Sequence, residues 1–321
     1  MNAVEAVLVV LLLIGTGVLI HRLGWVTEGV MTFLSKTVVN VALPCSMFYT
    51  FLNDYSRQKL LDLFPLVPIP FISISLSLVV AWLLAQWFVP PGRRGVFTAM
   101  VGFSNTIFIG LPVNLLLLGQ AGVPYALVVY IATTTLYWTV GNALIAADGP
   151  RVPHDSALRE AGAIVKRLFQ SPPILALIVS VLLVLFEVKA PAVILETTHY
   201  IGNLTTPLSM IFVGVAVAQS DLRQLRLDRS TVLVTLGRFL LAPAALLGIL
   251  TLARTVGIQP PKVAVAAFFV QATMPTMAQT AILARAYGSD DGFASRITVL
   301  TTLLSLIVIP GVFALLQAWV L

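Results

Sequence analysis

Charge is scarce in this chain. Only 10% of its 321 residues are charged, against about a quarter in ordinary soluble domains. A water-facing exterior of that size cannot be built from so few polar groups. Cysteine is nearly absent: Cys45 stands alone, which excludes an intramolecular disulfide and a multi-cysteine metal site. It lies in an apolar run and reads as a small packing residue. The three histidines, His21, His154 and His199, are scattered. No Gly-x-Ser-x-Gly elbow, His-Glu-x-x-His pair or phosphate loop occurs, and no polar stretch has the size of a sensor's output module. These absences argue against an enzyme and against a membrane sensor, and predict neither metal nor cofactor. The start, Met1-Asn2-Ala3-Val4-Glu5, lacks the basic opening of a cleavable signal, so the first apolar run is expected to be a retained helix.

What is present is apolar sequence, 59% of the chain. About 20 apolar residues cross a bilayer as a helix. Such runs lie at 4–20, 29–51, 64–89, 94–119, 122–147, 172–187, 191–219, 230–256, 262–287 and 292–320. The sixth is short and opens on Pro172-Pro173, which suits a first helical turn. The net charge of +6 does not indicate nucleic acid, because Lys and Arg sit in short loops between the runs. With the N-terminus outside, twelve of them fall on the cytoplasmic side and five outside. That asymmetry predicts both termini outside. The longest connection, 148–171, is then cytoplasmic. Its stretch from Ala157 to Phe169 reads either as an amphipathic helix on the lipid surface or as a tether.

The two halves share punctuation. Asn40, Pro44, Ser46 and Met47 recur as Asn203, Pro207, Ser209 and Met210, 163 positions later, and the same offset carries Pro112 onto Pro275 and Lys36 onto His199. Five spans per half is an odd number, so the second half enters the membrane from the opposite side. The predicted fold is therefore all-α, an integral membrane protein of ten transmembrane helices. Two inverted five-helix repeats, 1–147 and 172–321, are joined by the linker 148–171, an architecture common among secondary transporters.

Proline removes a backbone donor and breaks a helix, so Pro112, with Gly110 beside it, and Pro275 predict breaks in the fourth and ninth spans. Polar residues gather at both: Ser104, Asn105, Thr106 and Asn114 in one, Gln271, Thr273, Thr276, Gln279 and Thr280 in the other. Either the prolines only kink their helices, or the breaks line a cavity. Half-helices starting there point their N-termini at the midplane, where they suit an anion. Candidate substrate contacts are Asn105, Gly110, Pro112, Asn114, Gln271, Pro275, Thr276 and Gln279. Asn40, Ser46 and Asn203 either form an opposing wall or sit in two bent, packed helices.

These residues resemble a known family. Phe103-Ser-Asn105-Thr-Ile-Phe-Ile-Gly110-Leu-Pro112-Val, Ala42-Leu-Pro44 with Phe48, and Met274-Pro275-Thr276 with Tyr287-Gly288 and Thr301–Ser305 are similar to the auxin efflux carrier family over essentially the whole chain. Bacterial members include proteins named as carriers of malonate and related carboxylates. The resemblance implies a scaffold from spans 1, 2, 6 and 7. Spans 3–5 and 8–10 would form a mobile unit in which helices 4 and 9 cross at their breaks. It further implies an elevator-type motion, a homodimer and the inner (plasma) membrane of a bacterium, with Asn105 as the asparagine before the span-4 break. Many relatives carry an asparagine shortly after the span-9 proline, where this chain has Gln279.

The expected function is carriage of a small organic anion, a carboxylate. The alternative is a sodium-coupled symporter of amphipathic anions, of the bile-acid type. Spans 4 and 9 contain no Asp or Glu, which argues for protons or the membrane potential over sodium. Lys36 and Arg238 fall inside spans within snorkelling reach of the cytoplasmic face. Glu196 and His199 read either as a proton site or as a pair at the outer interface.

Overall fold

The computed structural model of the protein describes residues 3–150, 172–219 and 227–319. The linker from 151 to 171, with its predicted surface helix, lies outside them. The helices are α1 (Ala3–Arg22), α2 (Glu28–Thr37), α3 (Leu43–Asp54), α4 (Arg57–Leu61), α5 (Pro68–Phe88), α6 (Arg94–Gly102), α7 (Leu111–Leu118), α8 (Val123–Leu136) and α9 (Asn142–Ala147). After the linker come α10 (Pro172–Leu185), α11 (Ala192–Gly202), α12 (Thr205–Ala218), α13 (Arg229–Leu236), α14 (Ala242–Thr255), α15 (Lys262–Ala272), α16 (Gln279–Tyr287) and α17 (Asp291–Trp319). Among the described residues six continuous helical stretches are long and apolar enough to cross a membrane: Gly29–Asp54, Arg57–Phe88, Gln120–Ala147, Ala192–Ala218, Arg229–Thr255 and Asp291–Leu316. Four shorter apolar helices accompany them, Leu11–Arg22, Thr106–Leu118, Pro172–Leu185 and Lys262–Ala272.

The intramembrane prolines do less damage than their chemistry suggests. Pro44, Pro112 and Pro243 each follow a π turn, Val38–Ala42, Thr106–Gly110 and Gly237–Leu241 respectively. In each case the residue before the proline donates its N–H five residues back: Leu43 to Val38, Leu111 to Thr106, Ala242 to Gly237. The extra residue in that turn moves the ring off the carbonyl it would otherwise strike, and the helix continues.

Packing separates into neighbourhoods. α1 lies against α12, and α3 against α10 and α11. α5 packs on α6 and α14, α8 on α15, and α16 on α17. Small residues allow the closest approaches, as expected where lipid offers no hydrophobic drive between helices. Gly17 and Gly214 meet where α1 crosses α12, and Gly202 of α11 lies against the backbone of Ser46. At one end of the molecule Arg93 gathers three connections. It bonds Asp290 at 2.7 Å and Asp228 at 3.2 Å and lies 4.6 Å over the Phe293 ring. The same two carboxylates cap the helices they precede, accepting from Thr231 N and Phe293 N.

Candidate functional site

Two chain segments are interrupted and cross. α6 ends at Gly102 and the next helical turn begins at Thr106; α15 ends at Ala272 and α16 begins at Gln279. Between them, extended residues pair antiparallel, with an isolated bridge joining Ser104 and Thr276. Asn105 N donates to Pro275 O at 2.8 Å, and Met277 N to Phe103 O at 3.1 Å. Thr276 N donates to the Thr301 hydroxyl at 3.2 Å, and the two threonine hydroxyls are 3.0 Å apart. The backbone groups released by the breaks are thus satisfied by one another and by α17, which is the condition for non-helical chain at membrane depth.

This corrects the expectation drawn from Pro112. The fourth-span break lies at Phe103–Asn105, not at Gly110–Pro112, because the π turn Thr106–Gly110 absorbs the proline. Pro275 does sit in the ninth-span break. Its carbonyl, freed from any helix, receives Asn105. Asn105 is consequently at the break itself. Its side-chain oxygen accepts from Phe108 N at 3.2 Å and caps the second half-helix. Its amide nitrogen has no hydrogen-bond acceptor among the described residues, and the residue is only partly buried.

The other candidates divide. Gly110, Pro112, Asn114, Gln271, Pro275 and Thr276 are all buried, but only Pro275 and Thr276 lie in the crossing itself; Pro112 and Asn114 belong to α7. A Cβ on Gly110 would lie 2.1 Å from Gln271 Oε1, so the glycine makes the room that Gln271 fills. Gln271 Nε2 reaches Thr106 O at 3.4 Å, and Asn114 Nδ2 donates to Gly110 O at 3.0 Å. The side-chain oxygens of Asn114 and Gln271 are buried without a donor among the described residues. Gln279 opens α16 and is exposed, beside Ala278, which supplies no side-chain cap. That helix therefore presents an uncapped N-terminus next to the crossing. Of the suggested opposing wall, Asn40 and Asn203 are exposed, and Ser46 is buried against Gly202 in helix packing.

Of the membrane charges, Lys36 is exposed. His199 stacks on Tyr49 with centroids 4.3 Å apart and stands 4.0 Å from Glu196, with side chains 37% and 66% exposed. Arg238 does not snorkel. It is 1% exposed, and its guanidinium donates to Val101 O at 2.7 Å and to Ala272 O. Those carbonyls end α6 and α15, so the arginine sits beneath the crossing where a path to water was expected.

The family described as membrane transport protein matches residues 2–313. The chain belongs to this family, the auxin efflux carriers. Among its relatives are two proteins named as uncharacterized transporters. One, from Methanocaldococcus jannaschii, is 24% identical, with 100% of this chain and 99% of the relative covered. The other, from Methanothermobacter thermautotrophicus, is 28% identical over 97% of each. A Rhizobium meliloti protein named "Putative malonate transporter" is 24% identical, covering 90% of this chain and 88% of its own. This is a family of membrane transporters, and with the apolar helices it makes the chain an integral membrane protein. The residue that sequence reading misjudged is Arg238, which is buried. Its one available signal was a lone arginine in mid-run directly after Gly237, with no acid within a helical turn.

Proposed function

We propose that the chain is a secondary carrier of a small organic anion, a carboxylate, working by elevator-type alternating access. The observation that carries this reading is the free amide of Asn105 beside two helix N-termini, one capped by Asn105 itself and the other, at Gln279, without a side-chain cap. Helix N-termini carry partial positive charge and unpaired N–H groups, and an amide donor between them complements a carboxylate. In this reading the ten predicted spans form two inverted repeats. α1–α3 and α10–α12 are the scaffold, α4–α9 and α13–α17 the moving unit, both termini lie outside and the carrier is a homodimer in the inner membrane. A relative's name as a malonate transporter makes malonate the first substrate to try.

The test is uptake by purified protein in liposomes, over a panel of mono- and dicarboxylates with imposed gradients. Accumulation is expected from a proton gradient or membrane potential and not from sodium alone, because the crossing segments contain no Asp or Glu. Accumulation driven by sodium alone would overturn that coupling and favour the bile-acid-type alternative. A flat panel would remove the carboxylate reading.

One contact reports on the motion. Thr50 in α3 donates to Gln120 Oε1 at 2.8 Å, in the turn that follows α7. Elevator movement breaks this bond. Thr50→Val keeps the volume and removes a bond worth about 1 kcal/mol, roughly a fivefold shift between two carrier states. Uptake rate is expected to change by about that factor with thermal stability nearly unaltered. A rate indistinguishable from wild type places the contact outside the moving boundary.

A further inference from the structure

We propose that Arg238 is a positioning residue of the crossing: a fixed cation that joins and neutralises the C-terminal ends of α6 and α15. It thereby leaves the positive ends of the following half-helices free to act on an anion. The last part rests on the carboxylate reading above; the first part does not.

A helix C-terminus has carbonyls without partners and carries about half a negative charge. Here two such ends converge, because the crossing turns both chains at the same place. Left alone, the two like poles would face each other in a low dielectric. Arg238 answers both with one group. Nη1 takes Val101 O at 2.7 Å and Nη2 takes Ala272 O. The planar fork of a guanidinium spans two fixed acceptors, which a lysine's point charge does not. The two half-charges sum to about one, which one guanidinium matches.

The chain around Arg238 is shaped for this contact. Arg238 lies in the π turn Gly237–Leu241. A Cβ on Gly237 would come within 2.9 Å of Val101 Cγ2 and 3.0 Å of its Cγ1. Glycine there lets the helix approach α6 closely enough for its neighbour to reach the Val101 carbonyl. No carboxylate pairs with Arg238 among the described residues. Its Nε is buried and has no partner among the described residues. Arg238 also borders a small, mostly apolar cavity whose other polar side chains are Ser73, Ser77 and Ser104, with room for about one water. With its charge matched only by carbonyl dipoles, the crossing as a whole stays positive, and an anion at the opposite helix ends completes the balance.

The test compares Arg238→Ala, Arg238→Gln and Arg238→Lys in the purified full chain. In the alanine variant the truncated side chain and adjoining cavity leave space for a guanidinium ion. Millimolar guanidinium chloride is expected to raise the thermal midpoint of Arg238→Ala while sodium chloride at equal ionic strength does not, and wild type is expected to show no such gain. Malonate is the binding probe. Arg238→Gln is expected to bind it tenfold to a hundredfold more weakly, with Arg238→Lys between Gln and wild type. Equal guanidinium responses in Arg238→Ala and wild type would overturn the proposal. So would wild-type malonate affinity in folded Arg238→Gln. If the alanine variant does not fold, the charge-keeping lysine variant must still exceed the glutamine variant in stability; the reverse order rejects the role. If wild type binds no malonate, the carboxylate that it does bind in the panel replaces malonate as the probe; wild type that binds none of the panel rejects the carboxylate reading instead, and the guanidinium arm still decides on Arg238.

Discussion

Asn105→Asp is expected to give a carrier that folds as well as wild type and no longer holds an organic anion. The side chain at this position does two jobs with its two ends. Its oxygen accepts Phe108 N at 3.2 Å, closing the first turn of the second half-helix, and its amide nitrogen, which has no acceptor among the described residues, is the proposed ligand donor. Aspartate preserves the acceptor, and a carboxylate at a helix N-terminus is a good cap. It replaces the donor with a negative charge. Two like charges about 4 Å apart at an effective dielectric near 20 repel by about 4 kcal/mol, roughly a thousandfold in affinity. Asn105→Ala loses both roles. Its helix loses a cap worth about 1 kcal/mol, and its ligand loses a donor worth about 1–3 kcal/mol, tenfold to a hundredfold. The ordering is the diagnostic: stability Asp at or above Asn and above Ala, malonate affinity Asn above Ala above Asp. Thermal unfolding in detergent and equilibrium binding read the two scales separately, with Ser46→Ala as a packing-site control. An aspartate variant that transports a carboxylate at the wild-type rate would move the anion site away from the crossing.

Much of the architecture was legible because hydropathy is a summed property. No single residue decides whether a 20-residue stretch is apolar, and apart from the short α4 (Arg57–Leu61), which no predicted run contains, each described helix overlaps a predicted run. The fourth-span break was misplaced because it was read from one residue's chemistry. Proline's lost donor is a local rule, and a π turn, which depends on how the whole segment packs, cancels it. The actual break at Phe103–Asn105 holds neither proline nor glycine. Its signal is Asn105 as an N-cap, a weaker pattern that many buried asparagines also match. The repeat offset misled in the same way. It aligns Pro112 with Pro275, whereas the bridge pairs Ser104 with Thr276. The position of Arg238 inside a span was legible, but its contacts were not. Its partners are backbone carbonyls 137 and 34 positions away, and any residue type could supply a carbonyl. Asn40 and Asn203 recur in both halves yet are exposed, because a shared repeat position fixes a place in the fold and says nothing about what faces it.

The second large effect concerns the wall against which the crossing packs. Gly214→Ala adds one methyl carbon and is expected to cost about 3 kcal/mol, the upper part of the usual overpacking range. A Cβ there would lie 2.0 Å from Ile14 O and 3.0 Å from Gly17 Cα. Neither atom belongs to a side chain that could swing aside, so α1 and α12 must separate. Gly17→Ala meets Ile211 O at 2.2 Å and Gly214 Cα at 2.9 Å, the same approach seen from the other helix. Because both changes force one separation, the double variant is expected to cost less than the two singles added together. Gly15→Ala on α1 is the control, since nothing among the described residues lies within 4 Å of a Cβ there; it should be neutral or gain the helix propensity of alanine, about 0.5–1 kcal/mol. Function follows from where this contact sits. Ile14 and Val213, next to the glycine pair, share one apolar cluster with Ile109 and Val113, which follow the first interruption, and Val270 and Met274, which lie at the second. Prising α1 from α12 therefore loosens the surface that faces both interrupted segments. Gly214→Ala is expected to lower the thermal midpoint sharply and to depress uptake even in the fraction that stays folded, whereas Gly15→Ala does neither. A wild-type midpoint and uptake in Gly214→Ala would mean that the two helices have slack at this crossing, and that the close glycine contact does not hold the wall in place.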